Sequence, residues 1–415
     1  MRSMVESRWR WLGLALTTVV VGIGASTALA QQHADPITIR SVDEVYAKRD
    51  ALVRYIWGAT TWTQVRTKQP SATFHNYVPV ADDALPDVNS LPNLDRIEKI
   101  VIAMNAPSTS GGTVSHTSTA YLFHPRMSDG PVVIVHHGHG CRLDGKGNES
   151  HYNLDATIRA LLAAKYAVVG MRMPLFQNPS ECGHDSVSTS HDDMFTNPAQ
   201  QLQPGSGSPL QFFLEPVAVV LNYIEMTYPN IFFFPHMIGL SGGGWTTTVY
   251  AAIDPRVVLS FPVAGSLPFD LPEGSRDSEQ RWTDFYNIAG YKDLYVLGSY
   301  GQALDGRGRI LFSSSWRRQT QILNQHDDCC FRPAPEAADR YVCDVQTTLY
   351  TLAPDTVNSG SFVFVYDASA ASHQISSADL SGVILPTLQP KLGSSGPAVG
   401  SCPMFFAEVL NWSTW

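Results

Sequence analysis

Short apolar segments alternate with stretches of helical spacing between residues 131 and 366, and this alternation constrains the fold more than any other feature. Pro131-Val132-Val133-Ile134-Val135, Tyr166 to Met171, Met237-Ile238-Gly239-Leu240, Val257 to Phe261, Gln319 to Leu323 and Phe362 to Tyr366 read as strands. Successive strand side chains point to opposite faces, so an unbroken apolar run implies burial on both. Asn153 to Lys165, Leu210 to Tyr228, Trp245 to Ile253 and Pro335 to Leu352 carry helical patterns between them. Strands that alternate with helices form a parallel sheet covered on both faces. Ile97 to Ile102 and Ser118 to Phe123 read as two further strands that open the sheet, with a Gly/Ser/Thr turn between them. Tyr46 to Trp62 reads as a helix and an aromatic-rich loop. Pro174 to Ser208 and Leu267 to Gly308 break the rhythm and read as long insertions above the sheet. The expected fold is α/β: a mostly parallel, twisted sheet with helices on both faces and large loop insertions.

The chain begins with Arg2, Arg8 and Arg10, an apolar run from Trp11 to Ala25, and Ala28-Leu29-Ala30. That is the form of a cleavable secretory signal, too short in its apolar part for a spanning helix, which needs about 20 residues. The expected organisation is a signal at 1–30, an extension at 31–96, a catalytic domain at 97–385 and a tail at 386–415. A secreted or periplasmic protein follows, with no membrane span once the signal is removed. The net charge of −9 argues against a nucleic-acid partner, which calls for clustered Lys and Arg. Six cysteines in an exported chain favour disulfides, with 15 pairings open. Neighbours such as Cys329 and Cys330 rarely bridge comfortably, and a bond from one of them to Cys343 is among the pairings open. Asn148-Glu149-Ser150 and Asn411-Trp412-Ser413 fit the glycosylation pattern.

Chemistry concentrates in four places. Gly239-Leu240-Ser241-Gly242-Gly243 sits where a strand gives way to a helix. A tight turn there lifts the serine hydroxyl above the sheet, small neighbours relieve the crowding, and the helix N-terminus favours a developing negative charge. His136-His137-Gly138-His139-Gly140 follows the first buried strand. Its histidines could instead be metal ligands, but no carboxylate partners are evident beside them. Asn324-Gln325-His326-Asp327-Asp328 follows a late strand, and His373 follows the last one. An imidazole in that position can take a serine proton and return it to a leaving group.

With these motifs the chain resembles the α/β-hydrolase superfamily from about residue 97 to 385, and within it the secreted serine esterases similar to dienelactone hydrolases and acetyl xylan esterases. The resemblance implies a nucleophile, Ser241, a base, His373, and an orienting acid, for which Asp327 is preferred to Asp328, with Asp367 a third candidate. It implies an oxyanion hole from the backbone amides of His139 and Gly242. It implies an acyl-enzyme mechanism on a small-molecule or polymer-linked ester, with no metal and no cofactor. The chain departs from a minimal dienelactone hydrolase in its serine nucleophile, its long N-terminal region and its two insertions. Three alternatives remain: a serine peptidase of the same fold, a non-catalytic binding protein on the same scaffold, and a metal-dependent hydrolase that uses the histidine loop. Residues 31–96 are too few for the β-propeller that many such peptidases carry. Phe176, Trp245, Trp282 and Tyr300 are candidates for pocket walls or for core packing. Oligomeric state is left open.

Overall fold

The computed structural model describes residues 34–389, apart from 59, 129, 141, 147–151, 175–191, 230–233, 272–275, 305–309, 314–316, 333–334 and 354–359. The expected signal, the expected tail beyond residue 389, both glycosylation patterns, Phe176, Cys141, Cys182 and Cys402 lie outside the described residues.

A nine-stranded sheet has the order β1-β2-β3-β5-β4-β6-β7-β10-β11. Its strands are β1 (Ala72–Phe74), β2 (Leu94–Pro107), β3 (Thr113–Pro125), β4 (Val132–His137), β5 (Ala167–Arg172), β6 (His236–Leu240), β7 (Leu259–Val263), β10 (Arg318–Asn324) and β11 (Ser361–Asp367). The pairs β1/β2, β2/β3 and β3/β5 are antiparallel. The pairs β4/β5, β4/β6, β6/β7, β7/β10 and β10/β11 are parallel. A separate ribbon pairs β8 (Gln302–Leu304) with β9 (Ile310–Ser313).

The apolar runs are buried on both faces, as their composition requires. Val132 and Ile134 pack into one core cluster and Val133 and Val135 into the other. The first cluster is closed by helices Gln211–Thr227, Gly242–Ile253 and Pro335–Leu352, the second by helix Leu154–Ala163 and residues 380–388. This mostly parallel sheet with helices on both faces and a strand–serine–helix turn near its middle is the α/β-hydrolase fold.

Two elements differ from expectation. The first helix begins earlier, at Val42–Trp57, behind a Ser41 cap. Ser41 Oγ accepts the Glu44 N–H at 3.3 Å, and Glu44 Oε2 accepts the Ser41 N–H at 3.1 Å. That reciprocal box fixes the helix start. The second insertion is not a loop throughout: Tyr291–Ser299 is a helix buried along its whole length. Its charges hid it. Lys292 Nζ lies 2.8 Å from Asp270 Oδ2, and Asp293 accepts Thr38 N–H at 2.8 Å and pairs with Lys48 at 3.2 Å. Paired in this way, both charges sit in the interior at a bearable desolvation cost.

The connections place four loops at one edge of the sheet. β4, β6, β10 and β11 run parallel, so the segments after their C-terminal ends share that edge. The chain order reverses between β4 and β6, and crevices in open α/β sheets form outside the carboxyl ends of strands at such a switch point.

Candidate active site

β6 ends at Leu240 and helix Gly242–Ile253 starts two residues later, leaving Ser241 alone in the turn. Ser241 has φ 58° and ψ −128°, a backbone conformation that L-residues rarely adopt. Residues held there cost roughly 1–3 kcal/mol and cluster at functional sites. The turn is held from both sides: Ser241 N–H donates to Val263 O at 3.0 Å, and Trp245 N–H to Ser241 O at 2.9 Å. Glycine is required nearby because backbones meet. A Cβ on Gly239 would run into the Gly243 carbonyl, and one on Gly243 into the His136 carbonyl.

The loop after β4 lies directly on this turn. A Cβ on Gly138 would stand 2.6 Å from Gly242 N and 2.7 Å from Ser241 Cβ. The His139 ring borders Gly242, where an added Cβ would be 2.8 Å from its Cε1. The structure thus brings His139 and Gly242 together beside Ser241. His136 and His137 turn elsewhere. His136 Nδ1 is 2.7 Å from the His137 carbonyl, and burial pushes its pKa down to about 4. The His137 ring packs edge-on against Tyr152 at 5.4 Å between centroids.

His373 and Asp327 meet in the loops after β11 and β10. His373 Nδ1 is 2.8 Å from Asp327 Oδ2, and both residues are buried. Asp327 Oδ1 accepts the N–H of Cys329 at 2.8 Å and of Cys330 at 3.0 Å. Burial opposes the Asp327 charge, but the His373 hydrogen bond, the His373 charge and these two amides outweigh it and hold the carboxyl below its usual range. Asp328 does not reach the ring; its Oδ1 accepts the His373 N–H at 3.1 Å. Asp367 Oδ1 accepts from Ser369 instead. His373 Nε2 is buried and has no hydrogen-bond partner among the described residues.

Several positioning residues carried no signal in the sequence. Asn324 Nδ2 donates to Ser372 O at 3.0 Å and to Gln374 O at 2.8 Å, bracketing His373. Tyr152 stacks edge-on against the His373 ring at 6.0 Å. Cys329 and Cys330 are bonded to each other, although neighbours rarely bridge comfortably. Asp277 and Glu279, from the second insertion, approach the His139 ring: Nε2 is 3.4 Å from Asp277 Oδ2 and 3.3 Å from Glu279 Oε1.

Of the aromatic candidates, Trp245 and Tyr300 are core residues. Trp245 Nε1 donates to Tyr286 Oη at 2.7 Å. Trp282 is half-buried and donates to Tyr55 Oη at 2.6 Å. A polar cavity of about 220 Å³ carries Asp83, Lys99, Arg172 and the hydroxyl residues Thr117 and Thr119 in its wall. Met173 lines the same cavity, and a Cβ on Gly242 would run into its sulfur.

No family model matches the sequence, and no curated protein matches it. Among solved structures, the chain is similar to a methylesterase at 13% identity and TM-score 0.48, over 82% of this chain and 61% of that one. The chain therefore spans about three fifths of that protein's length. A glucuronoyl esterase from Solibacter usitatus is similar at 11% identity and TM-score 0.48, over 82% of this chain and 91% of that one. A glucuronoyl esterase from Teredinibacter turnerae is similar at 11% identity and TM-score 0.45, over 85% of this chain and 88% of that one.

Proposed function

We propose that this α/β-hydrolase-fold chain is an exported serine hydrolase that cleaves carboxylic ester bonds through an acyl-enzyme. The observation that carries the reading is the buried Asp327–His373 pair, 2.8 Å apart, on the same sheet edge as the strained Ser241 turn. In this reading Ser241 Oγ attacks the ester carbonyl while His373 Nε2 takes its proton. Asp327 fixes the tautomer with the proton on Nδ1 and stabilises the imidazolium. The backbone N–H groups of His139 and Gly242 hold the oxyanion, helped by the N-terminus of helix Gly242–Ile253. The tetrahedral intermediate collapses, the alkoxide leaves with the proton from His373, and Ser241 keeps the acyl group. Water, deprotonated by His373, then releases the acid and restores the serine. Export is inferred from the basic, apolar and small-residue order of residues 1–30.

In this reading the polar cavity beside Met173 takes part of the substrate, and its charged and hydroxyl wall suits short or hydroxyl-bearing ester groups over long acyl chains. The test is hydrolysis of p-nitrophenyl esters from acetate to long acyl chains by the purified protein, with Ser241→Ala as control. We expect turnover highest on the short esters and reduced about a millionfold in Ser241→Ala, with the fold intact by circular dichroism. Wild-type-like turnover by the folded variant overturns the assignment. A fluorophosphonate that labels wild-type protein and spares Ser241→Ala is the companion result. Failure to label the folded wild type favours a binding protein on this scaffold.

A further inference from the structure

We propose that His139, Asp277 and Glu279 form a zinc-binding site beside the Ser241 turn. The three donor atoms, His139 Nε2, Asp277 Oδ2 and Glu279 Oε1, lie within 4.8 Å of one another. Their spacing is wider than that of a close charge-assisted hydrogen bond. Charge-assisted N–H···O bonds close to about 2.7–2.9 Å, and the Asp327–His373 pair in this protein does so, at 2.8 Å. The two carboxylates around His139 stand off at 3.3 and 3.4 Å. Zinc takes imidazole nitrogen at about 2.0–2.1 Å and carboxylate oxygen at about 2.0–2.2 Å in tetrahedral array, which puts neighbouring donors about 3.3–3.5 Å apart. The donor pairs measured here are spaced as edges of that tetrahedron.

The donor set selects the ion. Calcium and magnesium take oxygen ligands, so an imidazole nitrogen counts against them. One nitrogen and two carboxylate oxygens suit zinc, and three protein donors leave a fourth position for water. Burial agrees. Glu279 is fully buried, while Asp277, with its side chain 39% exposed, gives the ion a path from solvent. The site joins parts of the chain that are far apart in sequence. His139 follows β4, and both carboxylates come from the insertion after β7. That is why the histidine loop looked unaccompanied in the sequence. A bound ion would pin the insertion to the loop whose amide is assigned to the oxyanion hole, and so would position that loop. The proposal does not rest on the esterase reading.

The test is zinc binding to the full chain after chelator treatment, by calorimetry with zinc chloride and by elemental analysis after gel filtration. We expect one zinc per chain and a melting temperature raised by zinc. Affinity should fall at least about 100-fold in Glu279→Gln and in Asp277→Asn, beyond the loss typical of an outer-shell change. Ser241→Ala should bind zinc as the wild type does. No stoichiometric binding by the wild type overturns the site, leaving an ion-paired histidine. Unchanged binding in both variants overturns it too. If Glu279→Gln fails to fold, the more exposed Asp277→Asn decides alone.

Discussion

Asp327 and Asp328 are neighbours in the chain with different partners. Asp327 spends one oxygen on the His373 ring and the other on two backbone amides. Asp328 accepts the His373 main-chain N–H. Replacing each by Asn therefore asks two questions. Asp327→Asn can present its NH₂ to Nδ1, which fixes the wrong tautomer, and turnover should drop by about four orders of magnitude. Asp328→Asn keeps a carbonyl oxygen for the same N–H, and its turnover should stay within about tenfold, as for loss of one modest hydrogen bond. Steady-state kinetics on a short p-nitrophenyl ester checks both, and equal effects would place the acid elsewhere. At this scale the sequence was readable where chemistry demands a local pattern. Ser241 needs small residues on either side of a turn, and that pattern is contiguous. The choice between Asp327 and Asp328 was only a preference, because which oxygen faces a ring depends on the path of two loops. Asn324, Tyr152, Asp277 and Glu279 left no pattern, since each acts on a residue distant in the chain.

Elements were legible where apolar periodicity was strong. The runs at 131–135 and 166–171 became β4 and β5 because both sheet faces are covered. The first helix was placed too late, although Ser41 and Glu44 spell a capping box three residues apart. Helix Tyr291–Ser299 escaped because Lys292 and Asp293 suggested a surface, and only their partners explain their burial. Another buried acid joins β11 to the chain that follows it. Asp379 accepts the Ser376 N–H at 3.0 Å. Burial, and then the nearby Asp367 charge, push its pKa up to about 8. A folded-state pKa above the unfolded value of 3.8 means that the native protein binds the extra proton. Stability contributed by that proton is present below about pH 4 and is lost as pH rises to about 8. Asp379→Asn retains an acceptor for Ser376 and carries no charge. Its melting temperature, compared with wild type, should gain more at pH 8 than at pH 5. An equal difference at both pH values would show that Asp379 titrates normally.

The whole molecule is more continuous than its sequence suggests. The stretch before the sheet carried no clear period, yet Ile37, Ile39, Val45, Leu52, Val53 and Ile56 belong to the main core. Arg49 is buried and donates to Ala252 O at 3.1 Å and Leu297 O at 2.7 Å, tying the first helix to the end of the Ser241 helix and to the inserted one. We therefore expect deletion of residues 34–65 to yield no soluble, cooperatively melting protein, while Arg49→Ala folds with stability lower by about 1–3 kcal/mol from unsatisfied carbonyls. Soluble expression and thermal melting check both, and a stable deletion protein would make the segment an appendage. The sheet order was not readable, because periodicity tells what a strand buries and not which strand lies beside it.

The insertion between β7 and β10 has a consequence for anyone wishing to retarget the protein. Its early part reaches the rim around His139 through Asp277 and Glu279, while Tyr291–Ser299 lies wholly inside the molecule. Rim and interior are thus encoded in one stretch of chain. A chimera that borrows this stretch entire from another hydrolase imports a foreign piece of core along with the new rim. Phe285, Tyr286 and Ala289 already belong to the core, so recombination seams belong ahead of Phe285, where the rim can be exchanged and the scaffold kept.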